Sequence, residues 1–185
     1  MKLNLGCGNK KIEGWVNVDK ERLCNPNKLV DLEKFPWPWE DNSVDEVSLI
    51  HVLEHLGQTT DTYLKIIKEL YRICKPKAII HIRVPHPRHD HFLDDPTHVR
   101  PITIEGLEMF DKEKNQEWKE KGFANTPLAL NLGVDFKIKR WEYLIDPHFQ
   151  EMVDKKQIKL EELRKKVLTD NNIVREIVID LEVFK

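Results

Sequence analysis

The sequence predicts an α/β domain built on a mostly parallel sheet, and three observations point there. Short β-branched segments alternate with stretches of helical spacing, the pattern of strand, crossover and strand. Val44–His51 is a mostly apolar run, as a strand covered on both faces would be. The first apolar strand ends in Gly6-Cys7-Gly8, at the end of the sheet where open α/β folds bind ligands. With 185 residues the chain fits a single domain, residues 1–185, long enough for a proper core without disulfides or a structural metal.

Taken in order, Leu3–Leu5 is the first strand, Trp15–Asp19 the second, and Leu29–Asp31 a third, very short one. Phe35–Ser43 holds two prolines, which excludes regular helix or central strand. Val44–His51 is the fourth strand. Thr60–Lys75 is the clearest helix, because Tyr63, Ile66, Ile67, Leu70, Tyr71 and Cys74 recur at helical spacing until Pro76 stops it. Ala78–Val84 is a further strand, followed by an irregular stretch from Pro85 to Ile104 rich in His, Asp and Pro. Ile104–Lys121 is expected to be helical. Val134–Ile145 is a strand whose apolar face changes between Ile138 and Trp141, the mark of a bulge. His148–Thr169 is expected to be a charged amphipathic helix with Leu160, Leu163 and Val167 inward. The alternation of Ile177, Ile179, Leu181 and Val183 with Glu176, Asp180 and Glu182 predicts a strand with one wet face. These two late strands are expected to close one edge of the sheet.

Charged residues make up 34%, but 30 basic and 32 acidic side chains leave a formal charge of −2. A protein bound to phosphate backbones usually shows a basic excess, so nucleic acid is disfavoured as a partner. Lys155–Lys166 mixes lysines with Glu161 and Glu162 and reads as a solvated helix face. Three cysteines without CxxC spacing read as reduced thiols. No apolar run approaches the roughly 18 residues of a membrane span, and the first residues lead directly into a motif with no room for a signal peptide. The expectation is a cytoplasmic protein with no membrane partner.

A Gly-x-Gly turn lets a backbone approach a ligand closely, since no Cβ intrudes. Asp19, 11 residues after Gly8 at the end of the second strand, is placed to accept from two ribose hydroxyls. A nicotinamide fingerprint would need GxGxxG and an acid about 20 residues on, but position 11 is Lys11. The nucleoside is therefore not expected to be NAD.

Leu3–Asp19, LNLGCGNKKIEGWVNVD, resembles the first two motifs of class I S-adenosylmethionine-dependent methyltransferases of the broad type 11 group. Asp31-Leu32 stands where that family's adenine contacts fall, FPWPWEDNSVDEVSLIHVLEHL is similar to its fourth-strand region, and ELYRICKP (Glu69–Pro76) to the helix and turn before its fifth strand. The resemblance covers roughly residues 3–110. It implies a Rossmann-like, mostly parallel sheet with helices on both faces and an antiparallel strand at one edge. It also implies S-adenosylmethionine as cofactor and S-adenosylhomocysteine as product. Gly6, Cys7 and Gly8 would then line the methionine end and the ribose, Asp19 would hold the ribose hydroxyls, Asp31 would accept from the adenine amino group, the Leu32 N–H would reach a ring nitrogen, and His51 would lie near the transferring methyl. Two departures stand out. Only about ten residues separate Leu5 from Val16, near the minimum for a parallel crossover, so the N-terminal helices and the first crossover helix are expected to be reduced or absent. Lys75-Pro76-Lys77-Ala78 lacks the family's usual glycines. The cofactor pocket should accordingly be more open than usual, or covered by a later segment or another subunit, which keeps a homo-oligomer or partner subunit in view.

Six of the eight histidines fall in two groups: His51-x-x-Glu54-His55, and His86, His89, His91 and His98 among Asp90, Asp94 and Asp95. In the family, the segment after the fifth strand helps form the substrate pocket, here about residues 85–125, and DPTHVR (Asp95–Arg100) resembles a stretch found there. Three readings compete: solvated loop residues and caps, general-base or positioning chemistry, and a divalent metal. An imidazole's ordinary pKa suits it as a base, and His51, His55, His86 and His98 are the candidates. The metal reading rests on a partial resemblance to the Glu-x-x-Glu-His motif of small-RNA 2′-O-methyltransferases, with His51 in place of the first acid; it is not favoured, and no metal ligand is assigned. Trp37 and Trp39 are expected to pack under the Pro-rich loop rather than to floor a pocket. The function expected is methylation, on oxygen or nitrogen, of a small molecule or sugar-containing metabolite. A macromolecular (RNA or protein) methyltransferase and a non-catalytic cofactor-binding subunit are the alternatives.

Overall fold

The computed structural model describes residues 1–185. Its strands are β1 (Lys2–Leu5), β2 (Val16–Asp19), β3 (Lys28–Leu29), β4 (Val44–Ile50), β5 (Cys74–Pro85), β6 (Phe136–Ile145) and β7 (Val174–Val183). They form one sheet in the order β3-β2-β1-β4-β5-β7-β6. Pairing is parallel from β3 through β5, while β7 runs antiparallel to both β5 and β6. The mostly parallel sheet and its antiparallel strand near one edge agree with expectation.

Helix α1 (Thr60–Ile73) links β4 to β5. Thr59 caps it by accepting from the Thr62 amide, and Tyr63, Ile66, Ile67, Leu70 and Ile73 form its buried stripe, as their spacing requires. It stops three residues before Pro76, because Cys74 already pairs with Val44. Between β5 and β6 lie α2 (Asp90–Leu93), α3 (Ile104–Glu108), α4 (Lys112–Glu120) and α5 (Leu128–Leu132); α6 (Pro147–Asp154) and α7 (Leu160–Lys166) precede β7.

Several boundaries differ from the sequence reading. The helix expected over 104–121 is two, because the Asp111 side chain accepts from the Glu113 and Lys114 amides and starts a new helix. The one expected over 148–169 also breaks, with Lys156 at φ 57; Leu163 and Ile158 are buried there, while Leu160 is exposed. The third strand lies at 28–29, which leaves Asp31 in the turn after it. The expected bulge in β6 is present as a register shift between Ile138 and Arg140. The polar side of β7 is not wet: Glu176 and Glu182 are buried and pair with Arg83 and Lys139.

Crossovers between parallel strands are right-handed, so β4-α1-β5 covers one face and β1-β2-β3, stepping the other way, covers the opposite one. On the first face Leu3, Leu5, Val47, Leu49, Ile80, Ile82, Ile179 and Leu181 pack with α1 and with Ile104, Leu107 and Phe110 in one cluster of 31 buried residues. On the second, residues 6–15 contain no helix, and the strands carry polar pairs such as Lys2–Glu46 and His81–Asp180. The first crossover helix is therefore absent, as expected. Two buried asparagines stand in for it. Asn4 Nδ2 donates to the Lys10 carbonyl and to Asn17 Oδ1, and Asn17 Oδ1 also accepts from the Ile12 amide while its Nδ2 donates to Ile12 O. The loop's main-chain groups are satisfied by side chains rather than by a helical ladder.

Trp37 and Trp39 are in the core, edge to face. Arg72 of α1 donates to the Trp37 and Trp39 carbonyls while paired with Glu69 and Asp41, which clamps the Pro-rich loop. All three cysteines are free. No helix is long and apolar enough to cross a membrane.

Candidate functional site

Strand order reverses between β1 and β4, and a crevice opens outside the carboxyl ends of the strands at such a point. Here the cleft is about 620 Å³ including its open mouth, lined by Gly6, Asp19, Lys20, Val30, Asp31, Leu32, Glu33, His51, Val52, His55 and Leu56. Six residues singled out from sequence (Gly6, Asp19, Asp31, Leu32, His51 and His55) thus share one wall system.

Gly6 lies at φ +63, and a Cβ there would sit 2.6 Å from a Val52 methyl, so both backbone and space demand glycine. Gly8 has φ +47 with open space around it. Its amide donates to Asp19 Oδ2 at 2.8 Å, and the Glu21 amide to Asp19 Oδ1 at 2.9 Å; these bonds fix the carboxylate at the rim of the cleft. Cys7 and Gly8 do not line the cleft. Cys7 extends the strand pairing through its amide to the Val18 carbonyl, and burial, with Asp19 nearby, pushes its thiol pKa up. Asp31 Oδ1 accepts from the Glu33 amide at 3.0 Å, which turns the chain so that Val30 to Glu33 all face the cleft.

His51 follows β4 in the left-handed region, φ 56, a conformation costly for a residue with a side chain and frequent at functional sites. Its Nδ1 is 3.4 Å from Glu54 Oε1 and its Nε2 is 3.4 Å from Glu176 Oε1. The imidazole therefore sits between two buried carboxylates. Glu54 belongs to the 3₁₀ turn Leu53–His55; Glu176 is held from behind by Arg83.

Of the other histidines, His55 lines the cleft and His98 lies against it, ring centroids 4.5 Å apart. His98 reaches this place because the Val99 and Arg100 amides both donate to the Glu54 carbonyl. His86 is apart from the cleft. It is buried against Tyr143, its Nδ1 accepts from the Arg88 amide, and burial, with Arg88 close by, lowers its pKa to about 4. It caps a turn and is not among the residues that line the cleft. His89 and His91 stand in a separate shallow site with Asp90, Asp94 and Asp146. Sequence reasoning named Glu54 only as part of a motif and took Glu176 for a solvent-facing residue. Nothing in the local sequence marks Glu176 as a site residue, since it arrives from the far end of the chain.

Among solved structures, a S-adenosylmethionine-dependent methyltransferase from Archaeoglobus fulgidus is similar over 98% of this chain and 85% of its own, at 20% identity and TM-score 0.63. A methyltransferase from Haloferax volcanii, solved with a methyltransferase activator, matches over 100% and 82% at 12% identity and TM-score 0.53. A phosphoethanolamine N-methyltransferase from Haemonchus contortus, solved with phosphomonomethylethanolamine and S-adenosylhomocysteine, matches over 100% of this chain and 48% of its own, at 14% identity and TM-score 0.55. A search of curated protein sequences finds no match. These likenesses show the fold, the Rossmann-like fold that the S-adenosylmethionine-dependent methyltransferase from Archaeoglobus fulgidus also has. Residues 12–82, less than half of the chain, match the family model of a methyltransferase domain.

Proposed function

We propose that the cleft seats S-adenosylmethionine with its adenine toward Asp31 and Leu32, its ribose hydroxyls on Asp19, and its sulfonium near Gly6 and His51. The acceptor would be a hydroxyl or amine of a small molecule or sugar-containing metabolite, entering between residues 51–56 and 85–100. The observation that carries this reading is the gathering of Gly6, Asp19, Asp31, Leu32 and His51 around one cleft. A likeness to a phosphoethanolamine N-methyltransferase is compatible with a small acceptor.

The cofactor supplies the electrophile, so the protein's work is alignment and proton management. As the acceptor's lone pair forms a bond to the methyl carbon, the carbon–sulfur bond breaks and its electron pair stays on sulfur, leaving neutral S-adenosylhomocysteine. The acceptor's proton passes to the imidazole of His51. Glu54 and Glu176, each 3.4 Å from that ring, would stabilise the imidazolium that forms. His55 and His98 would position the acceptor, and the roles of Cys7 and Gly8 would be to hold the turn that presents Gly6.

Methyl-tritiated S-adenosylmethionine, offered with hydroxylated and amine metabolites, sugar-containing compounds, RNA and protein extracts, tests the reading. Label should enter a small molecule, and His51→Gln should cut turnover about 100-fold with little change in cofactor affinity. Label confined to RNA or protein would favour a macromolecular acceptor, and full turnover in His51→Gln would remove the proposed base.

A further inference from the structure

Glu54 is fully buried, and neither of its carboxylate oxygens has a hydrogen-bond partner. Buried carboxylates are paired with cations or donors, since an unpaired charge in a dry site is strongly disfavoured. His51 Nδ1 lies 3.4 Å from Glu54 Oε1 without making a hydrogen bond to it. His55 and His98 each bring a ring nitrogen so that the three ligand-type atoms lie within 4.8 Å of one another.

The tautomers follow from the partners on the far side of each ring. His98 Nδ1 is 2.9 Å from the Phe92 carbonyl, an acceptor only, so Nδ1 carries the proton. His55 Nδ1 is 2.9 Å from Thr97 Oγ1, whose own hydrogen goes to Asp95 Oδ1 at 2.6 Å; His55 Nδ1 is therefore the donor. Each Nε2 is then the nitrogen without a proton, and that of His98 lies 3.9 Å from Asp95 Oδ2. Two imidazole nitrogens and a buried carboxylate without a hydrogen-bond partner thus gather within 4.8 Å of one another. Such an arrangement is repulsive alone and is complete around a cation, and the outer hydrogen bonds are those that orient ligating imidazoles.

We propose that Glu54, His55 and His98 hold a divalent transition-metal ion, zinc by preference, in the wall of the cofactor cleft. Two nitrogens and one carboxylate suit zinc, iron or cobalt better than magnesium, and three protein ligands leave a position for another group. Bonds of about 2.0–2.2 Å require only a small inward closure of the three side chains. The frame is rigid: the Val99 and Arg100 amides bind the Glu54 carbonyl at 2.9 and 3.1 Å, and the Arg100 guanidinium binds the Gly57 carbonyl at 2.8 Å while lying over the Tyr63 ring. Because His55 also lines the cleft, the ion borders the proposed methyl-transfer site. When bound it supplies a Lewis acid able to polarise an acceptor hydroxyl. That role rests on the methyl-transfer reading; the binding of the ion does not.

Chelator-treated protein is titrated with zinc against a chromophoric chelator, and with cobalt by visible absorption, alongside Glu54→Gln, His98→Gln and His91→Gln. About one equivalent should bind the wild-type chain and His91→Gln alike. Glu54→Gln and His98→Gln should bind at least about 100-fold more weakly, while keeping a cooperative thermal transition and affinity for S-adenosylhomocysteine. No ion bound by the wild type, equal binding by both ligand variants, or loss in His91→Gln would overturn the proposal. S-adenosylhomocysteine titration separates the two readings: cofactor binding without an ion removes only the metal site, and ion binding without cofactor removes only the methyl-transfer reading.

Discussion

Asp19 accepts two main-chain amides, so the carboxylate proposed to meet the ribose is already aimed. His51, by contrast, is held at φ 56, and such strain persists only where surrounding contacts fix it; here its amide is tied to the Arg83 carbonyl and its ring lies between Glu54 and Glu176. Residue-scale electrostatics also set a pH limit on the fold. Burial lowers the folded-state pKa of His86 to about 4 from an ordinary 6.5, and its Nδ1 must stay unprotonated to accept the Arg88 amide. Below pH 6.5 the unfolded chain takes up this proton and the folded chain does not. Stability is therefore intact above that pH and declines as pH falls toward 4, by on the order of 2–3 kcal/mol for this group. Urea midpoints at pH 7.5 and 5.0 should show the decline, and His86→Asn, which keeps an acceptor for the turn, should flatten it. An equal decline in the variant would assign the effect to other groups.

Among the elements, the loop over residues 6–15 is the most unusual, because buried asparagine side chains do what a helix ladder would do. Removing the Asn17 amide leaves the Ile12 amide and carbonyl without partners. Asn17→Ala should cost about 2–4 kcal/mol and speed hydrogen exchange over residues 10–15 before it affects α1; uniform exchange across the chain would contradict the anchoring. This device could not be seen in the sequence, where Asn4 and Asn17 look like ordinary polar positions of short strands. Helix α1 was legible, since its apolar spacing and its Thr59 cap agree. The break at Asp111 left a trace, an N-capping residue within an amphipathic stretch, but the break at Lys156 left none, having neither Gly nor Pro. The strand alternation of β7 was read correctly for direction and wrongly for solvent, because parity shows which face a residue takes and not what covers it. For the site, Gly6, Asp19, Asp31 and His51 were legible because each terminates a strand or follows one closely. Glu54 and Glu176 gain their meaning only from burial, and His86 lies outside the cleft lining.

The whole molecule is uneven across its sheet. One face is an apolar cluster under α1 and α3, and the other is crossed by polar pairs and a helix-free loop. Despite that reduction, the order β3-β2-β1-β4-β5-β7-β6 keeps its reversal between β1 and β4, and the cleft forms there from four separate connections. The central claim is that this shortened fold still holds the nucleoside of its cofactor through Asp19. Calorimetric titration with S-adenosylhomocysteine tests it most directly. The wild-type chain should bind at roughly micromolar affinity, and Asp19→Ala should bind about 100-fold more weakly. Absence of binding by the wild type, or equal binding by Asp19→Ala, would contradict the account.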